Sequence, residues 1–424
     1  MTARTGTDAA IDLGAPELTR DPFTEYAKLR ERGRVLPGKQ PMIGEPTWVV
    51  TRYDDVKAVL ADARFVSDRA AIPEFEHDDT RLRSLKAFGI PEEYLQYMVS
   101  LLHIDGPDHV RLRKLVSRAF TVRRISALRP RMEEIVDGLL DRLTDHADDN
   151  GVVDLLSQFA HPFSMTVICE LVGIDEEDRA AWRRFGTDLG SDDPTRFAGA
   201  VRGVIDHVRD LIERRRAEPA DDLLTGLIRT HDEDGDRLTS TEMVTMIFTL
   251  VMAGYDTTAT FIANGTVDLL THPDQFRLLK REPELMPRAV HELLRRVPPA
   301  QLVGTRYATE DVRIGDTVIK RGEAVTPILA AANFDPRQFG EPDTLDITRE
   351  SGGRRETHVA FSHGTHYCLG AALAREESEV AFARLFERFP DISLAVDPAH
   401  LARTPQPGAW RLAELPVRLG GGGS

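Results

Sequence analysis

Apolar residues recur every three to four positions near 54–62, 107–119, 126–146, 153–172, 197–216, 240–271, 286–296 and 370–388, and this spacing predicts helices there. Strand-like runs are fewer. They comprise Trp48-Val49-Val50, the stretch Val312 to Thr326 with turns marked by Gly315-Asp316 and Arg321-Gly322, Ile392 to Val396, and the last apolar residues before the terminal glycines. The pattern predicts a mainly α protein with a smaller β part near the amino terminus, an α+β fold. With no internal repeat and no low-complexity linker, the expected organisation is a tail over 1–15, one domain over 16–419 and a flexible Gly/Ser tail over 420–424.

One helix has legible ends. Thr239 and Glu242 form a T-x-x-E capping box, in which each side chain satisfies a free backbone N–H, and Pro273 stops the helix beyond Thr271. At 1.5 Å per residue its span of about 30 residues is roughly 45 Å, enough to cross a whole molecule. Met243 to Ile262 is apolar enough to raise the question of a membrane span. Asp256, Gly254, Thr249, Thr257, Thr258 and Thr260 within it favour a buried core helix instead.

Composition narrows the function classes. A chain of 424 residues, 41% hydrophobic, buries a large core, and its net charge of -15 disfavours nucleic acid, whose binding is driven by Lys and Arg displacing counterions. Only Cys169 and Cys368 occur, too few for a disulfide framework or a four-cysteine zinc site, which fits a reducing cytoplasm. Met1 to Pro16 carries no basic flank followed by an apolar run, so no secretory signal and no membrane anchor is expected, and a cytoplasmic monomer is the reading.

The candidate chemistry centres on Phe361-Ser362-His363-Gly364-Thr365-His366-Tyr367-Cys368-Leu369-Gly370. A lone thiol sits in a glycine-punctuated loop before a helix. Gly364 and Gly370 suit positive φ or close backbone approach, and N–H groups at the following helix start favour a thiolate. A thiolate opposite oxygen on haem iron promotes O–O cleavage. Two other readings stand beside this one: a zinc site from His363, His366 and Cys368, which lacks a fourth ligand, and a buried structural cysteine. Cys169, in an apolar run, reads as core.

Phe361, Gly364, His366, Cys368 and Gly370 together meet F-x-x-G-x-H-x-C-x-G, which resembles the haem-binding motif of the cytochrome P450 superfamily, the soluble bacterial type in particular. Ala253-Gly254-Tyr255-Asp256-Thr257-Thr258 resembles that family's oxygen-activation motif. There the resemblance implies that Ala253 and Gly254 leave space for dioxygen and a water in a locally opened helix, while Asp256 and Thr257 relay protons. The plain alternative has Thr257 bonding back to its own helix and Asp256 pairing with an arginine. Glu292 and Arg295 match the E-x-x-R motif, and Asn333 to Phe339 with Arg349 resemble the meander that completes its network; their implied role is structural. His109 and Arg113, four apart on one helix face, with Arg306 and His366, match propionate-binding positions, a solvated face being the alternative for the first two. The likeness spans roughly 15–418; Ser362 departs from a common Gly and Leu345 from a common aromatic.

The resemblance implies the cytochrome P450 fold, with haem b between the central helix and the cysteine-loop helix. The implied activity inserts one atom of O2 into an organic substrate, by hydroxylation or epoxidation. A macrolide or other bulky polyketide is the leading substrate class, with steroids, terpenoids and fatty acids open. A haem sensor or carrier without turnover, or a peroxide-driven enzyme, are the competing classes. Electrons are expected from a ferredoxin and its NAD(P)H-dependent reductase, docking near Arg111, Lys114, Arg118, Arg354 and Arg355 unless these form only a solvated face. The substrate wall is expected from the 67–102 segment, including Phe75, Phe88, Tyr94, Met98 and Leu102, from 174–200, from Met246, Leu250, Ala253 and Gly254, from Ala300, Leu302 and Val303, and from the turn at Pro405-Gln406-Pro407.

Overall fold

A computed structural model describes residues 10–41, 44–76, 82, 85–86, 89–118, 120–191, 193–233, 238–350, 356–404 and 406–420. Phe88, Arg354, Arg355 and Pro405, together with most of both expected tails, lie outside the described residues. Helices of nine residues or more are α1 (Pro22–Arg32), α2 (Tyr53–Ala61), α3 (Gly106–Ser117), α4 (Val122–Leu143), α5 (His161–Val172), α6 (Arg179–Leu189), α7 (Pro194–Ala217), α8 (Leu223–Glu233), α9 (Ser240–Thr271), α10 (Pro273–Arg281), α11 (Met286–Arg296) and α12 (Ala371–Arg388). Strands are β1 (Ile11–Asp12), β2 (Val35–Lys39), β3 (Pro46–Val50), β4 (Phe65–Val66), β5 (Val152–Asp154), β6 (Arg306–Ala308), β7 (Val312–Ile314), β8 (Thr317–Ile319), β9 (Ala324–Pro327), β10 (Ser393–Leu394), β11 (Arg403–Thr404), β12 (Arg411–Leu412) and β13 (Pro416–Arg418).

The central helix α9 organises the α part. Its capping box is made: Thr239 N donates to Glu242 Oε2 at 2.7 Å and Glu242 N to Thr239 Oγ1 at 3.1 Å. It packs on α5, α7, α11 and α12, so this helix, long and apolar enough to cross a membrane, serves as the core of the fold. Its glycines set the packing distance. A Cβ on Gly254 would stand 3.1 Å from the Ile168 side chain of α5, and one on Gly265 would meet Phe382 of α12 at 2.7 Å.

The main sheet runs β1-β2-β3-β9-β6-β4, with β9 inserted parallel beside β3. The main sheet is therefore assembled from the amino-terminal strands β1 to β4 together with β6 and β9 from far along the chain, and not from the amino terminus alone. Gly315 (φ 58) and Gly322 (φ 79) make the expected turns.

Two expectations change. The helix predicted over 153–172 begins with β5, paired to β13, then a π turn over Leu156–Ala160, and only then α5. Asp154 explains the break: its Oδ1 accepts from Leu156 N at 3.1 Å and Leu415 N at 2.8 Å, tying the segment to the carboxy-terminal strand. An apolar run buried on all sides has no period to distinguish strand from helix. Helices α1, α6, α8 and α10 escaped the pattern reading; each is only 9–11 residues long and rich in charge.

The E-x-x-R pair is buried. Arg295 Nε and Nη2 each reach Glu292 at 2.8 Å, Arg295 Nη1 donates to Asn333 O at 2.9 Å, and Arg349 Nε donates to Glu292 Oε1 at 3.1 Å. Arg349 also holds Gly340 O at 2.9 Å, and Leu345 sits in the main core. Residues 333–349 are thus pinned to α11, and Asn333 Oδ1 in turn accepts from Val359 N at 2.8 Å, two residues before the cysteine loop. Glu292→Ala would leave Arg295 as an uncompensated buried charge, and we expect a loss of about 3–5 kcal/mol in urea unfolding. The exposed pair Arg388–Asp141, 3.0 Å apart, should cost no more than about 1 kcal/mol on Arg388→Ala.

Candidate functional site

The cysteine loop is shaped by its backbone. Cys368 N donates to Phe361 O at 2.9 Å and Tyr367 N to Gly364 O at 3.1 Å, closing a tight turn that presents the thiol at the start of α12. Cys368 is partly buried, and the Phe361 ring beneath it carries the Arg375 guanidinium at 5.7 Å. Burial pushes the Cys368 thiol up; the Gly370 N–H and the Arg113 guanidinium oppose it without winning. The helix-start N–H anticipated to favour a thiolate is therefore present, but a bound cation is still required to complete the deprotonation.

Around the loop gather donors that lack an anionic partner or a partner altogether, His366 excepted. His109 is buried and neither ring nitrogen has a hydrogen-bond partner. Arg306, also buried, bonds only Gly304 O, and Arg113 only Tyr367 O; neither has a carboxylate within ion-pair distance among the described residues. His366 stacks near His109, ring centres 4.4 Å apart. Burial, reinforced by the positive neighbours His366, Arg113 and Arg306, pushes His109 down to about 4. A buried cluster of this kind is stable only against anions. His109, Arg113, Arg306 and His366 thus converge as the propionate expectation requires, and the cluster fits haem: two carboxylates beside a thiol.

Two partners at this cluster were not anticipated. His366 Nε2 lies 2.8 Å from Asp105 Oδ1 and 3.2 Å from Ser67 Oγ. Burial works to raise the Asp105 carboxyl, but hydrogen bonds from His366 and the Ser67 N–H outweigh it and leave it below the ordinary range. Asp105 stands in the segment that carries His109, yet nothing local in the sequence pairs it with a residue 261 positions away.

On α9 the observed contacts are those of the plain alternative. Thr257 Oγ1 donates to Ala253 O at 2.5 Å, and Asp256 is ion-paired with Arg411 of β12. His161 Nε2 lies 3.9 Å from the same Asp256 oxygen. The helix is continuous through this stretch and not opened. Ala253 and Thr257 are nevertheless exposed on an otherwise buried helix, on the stripe that carries Met246 (buried) and Leu250 (partly buried). Gly254 does not serve that opening: it faces Ile168 and exists for helix packing. Behind the motif, Thr258 hydrogen-bonds Glu377 of α12, a fully buried carboxyl pushed up to about 8 by its burial. Glu377 was not read from the sequence.

Of the expected wall residues, Met98 is buried and Leu102 is 56% exposed. Ala300 bridges to Ala409; Leu302 packs against the cluster that contains Ile11, Leu36 and Ile328, and Val303 against the one that contains Val50 and Phe65, so these two side chains serve the sheet cores. In the expected basic patch, Arg111 is turned inward onto Glu242, while Lys114 and Arg118 are exposed. The zinc alternative fails on geometry. Among the described residues the donors that converge are His291, Glu356 and His358, not His363, His366 and Cys368.

The family model described as Cytochrome P450 matches residues 191–399. The chain is 40% identical over 421 residues to 6-deoxyerythronolide B hydroxylase of Saccharopolyspora erythraea, covering 97% of this chain and 99% of that protein. It is equally 40% identical over 418 residues to vitamin D(3) 25-hydroxylase of Pseudonocardia autotrophica, covering 98% of each. Among solved structures, that of the bacillaene polyketide synthase cytochrome P450 PksS of Bacillus subtilis 168 superposes with a TM-score of 0.85 at 34% identity, over 96% of this chain and 99% of that one.

The loop also explains which of its glycines matter. Gly364 has φ 72, and a Cβ there would lie 2.4 Å from Leu60 O at the end of α2, so both reasons for glycine hold. Gly370 has an ordinary φ of -85 and a Cβ would meet nothing within 4 Å, so neither does. Ser362 holds φ 64, a left-handed backbone that costs an L-residue roughly 1–2 kcal/mol, and its buried hydroxyl has no partner. Ser362→Gly should therefore raise stability by about 1 kcal/mol, measured by thermal unfolding. Gly364→Ala should lower it by at least about 2 kcal/mol and reduce haem retained on purification.

Proposed function

The chain belongs to the cytochrome P450 family, as a haem-dependent monooxygenase, and from that premise we propose that it oxidises a bulky polyketide-type secondary metabolite, by hydroxylation or epoxidation. The observation that carries the site reading is the meeting of one partly buried thiol with four cationic or imidazole donors, two of them buried and without an anionic partner. Haem b, when bound, supplies the iron at which O2 is cleaved, one oxygen atom going to the substrate and the other, with two protons and two electrons, to water.

The chain's own residues supply the rest. Cys368 would hold the haem iron as a thiolate, with the Gly370 N–H and Arg113 stabilising its charge. His109, Arg113, Arg306 and His366 would hold the two propionates, with Phe361 and Gly364 shaping the loop and Ala253 belonging to the α9 wall. Glu292 and Arg295 position the loop from behind through Asn333. Asp256 carries protons inward by leaving Arg411 and turning towards Thr257, whose hydroxyl passes them on. His161 Nε2 lies 3.9 Å from Asp256 Oδ1.

The substrate reading rests on a relative named for hydroxylating 6-deoxyerythronolide B and a neighbour named for a polyketide synthase. Met246, Leu250, Ala253, Met98 and Ala300 form the wall in this reading, with Leu102 contributing at its margin. A steroid-like substrate is the second reading, because a vitamin D(3) hydroxylase stands at the same identity. Electrons come from a ferredoxin and an NAD(P)H-dependent reductase, approaching near Lys114 and Arg118; with two cysteines this sequence holds no iron–sulfur cluster of its own. The 16–419 span acts as one domain in this reading, as a cytoplasmic monomer.

Cys368→Ser should abolish the red-shifted carbonyl band of the reduced holoprotein; retention of that band would remove the ligand assignment. With ferredoxin, reductase and a substrate from a macrolide and steroid panel, Thr257→Ala should go on oxidising NAD(P)H while diverting the electrons to hydrogen peroxide. Coupling equal to that of the parent would refute the role given to Thr257.

A further inference from the structure

On the far side of the cysteine loop, between α11 and the segment leading into the loop, three donors converge that the oxidation chemistry does not use. His291 Nδ1 and His358 Nε2 are 3.2 Å apart, and with a carboxylate oxygen of Glu356 their ligand atoms all lie within 4.8 Å of one another. His358 is buried; His291 and Glu356 are partly exposed, which leaves an entry path from solvent. Two imidazole nitrogens each about 2.05 Å from a tetrahedral zinc ion stand roughly 3.3 Å apart. The two rings therefore already hold the spacing that a shared metal demands, and only the carboxylate has to close in.

We propose that His291, His358 and Glu356 form a binding site for a single divalent cation of the zinc type, separate from the haem iron, with water completing the coordination. Imidazole with one carboxylate is a donor set suited to that class. The rings are ready for it. Burial and then Arg375 push His291 down to about 4, and burial, His291 and Arg375 push His358 down to about 3, so both are neutral at neutral pH, the ligating form.

The rearrangements needed are confined to side chains and one proton. Ala360 N donates to His358 Nδ1 at 3.3 Å, so His358 carries its proton on Nε2 and donates it to His291 Nδ1. Metal binding moves that proton to Nδ1 and gives up the long contact from Ala360. Glu356 is held by Tyr367 Oη at 2.9 Å and ion-paired with Arg375, so it turns one oxygen from these partners to the metal. The gain is a cross-link. The ion would join α11, which carries Glu292 and Arg295, to the residues that run directly into Phe361.

The test uses the holoenzyme, stripped with chelator and titrated with Zn2+ by calorimetry, followed by crystals measured at the zinc edge. One equivalent should bind, with an anomalous peak between His291 Nδ1 and His358 Nε2 and a raised thermal midpoint. His291→Gln should weaken binding by about tenfold or more and remove the midpoint shift, leaving the reduced carbonyl spectrum unchanged. Glu356→Gln gives an independent weakening should the histidine variant fold poorly. Absence of binding, a peak only at surface histidines, or unchanged affinity in both variants would overturn the site.

Discussion

Charge taken out of water has to be answered by charge or by hydrogen bonds, and this constraint organises the molecule around Cys368. A thiolate is costly where the loop places it, and the Gly370 N–H and Arg113 meet only part of that cost. The opposite imbalance stands beside it. Arg113 and Arg306 stand there with no carboxylate at ion-pair distance among the described residues, and burial with these positive neighbours holds His109 down at about 4.

Elsewhere the same rule is met without a ligand. Glu292 and Arg295 are almost wholly buried, but Arg349, Asn333 O and the Asp346 N–H saturate them, so the network holds a shape instead of awaiting a partner. Glu377 meets the rule in a third way, by burial that keeps its carboxyl neutral against Thr258. Three acids or bases of similar burial thus have different fates, decided by how many oriented donors each neighbour supplies.

What the sequence disclosed divides along the same line. Motifs whose members lie within one turn or one loop were legible: the capping box at Thr239 and Glu242, the E-x-x-R pair, and the thiol loop with Gly364. Partners drawn from distant segments were not. Arg411 lies 155 residues from Asp256, and Asp105 lies 261 from His366; no local pattern selects either. Glycines were read for the right property at the wrong place. Gly254 looks like space beside a reaction centre and is a helix contact with Ile168, while Ser362, noted only as a departure, occupies the left-handed backbone that glycine would relieve. The 153–172 run failed for a plainer reason: a segment apolar on every face carries no phase, and Asp154, the residue that breaks it, acts through a strand at the other end of the chain.

The pairing of Asp256 with Arg411 links two parts of the molecule that chemistry would otherwise treat separately. Arg411 belongs to the short β11–β12 hairpin, where Gln406 also accepts from it, and Asp256 belongs to the middle of the central helix. α9 is capped at its start and packed on α5, α7 and α12 among other helices, so its acid changes partners by a rotation of its own side chain or by a displacement of the hairpin. A hairpin of two-residue strands is among the least costly elements to displace. In the proposed mechanism, then, the exchange of Asp256 between Arg411 and Thr257 requires no movement of the helix that carries the acid.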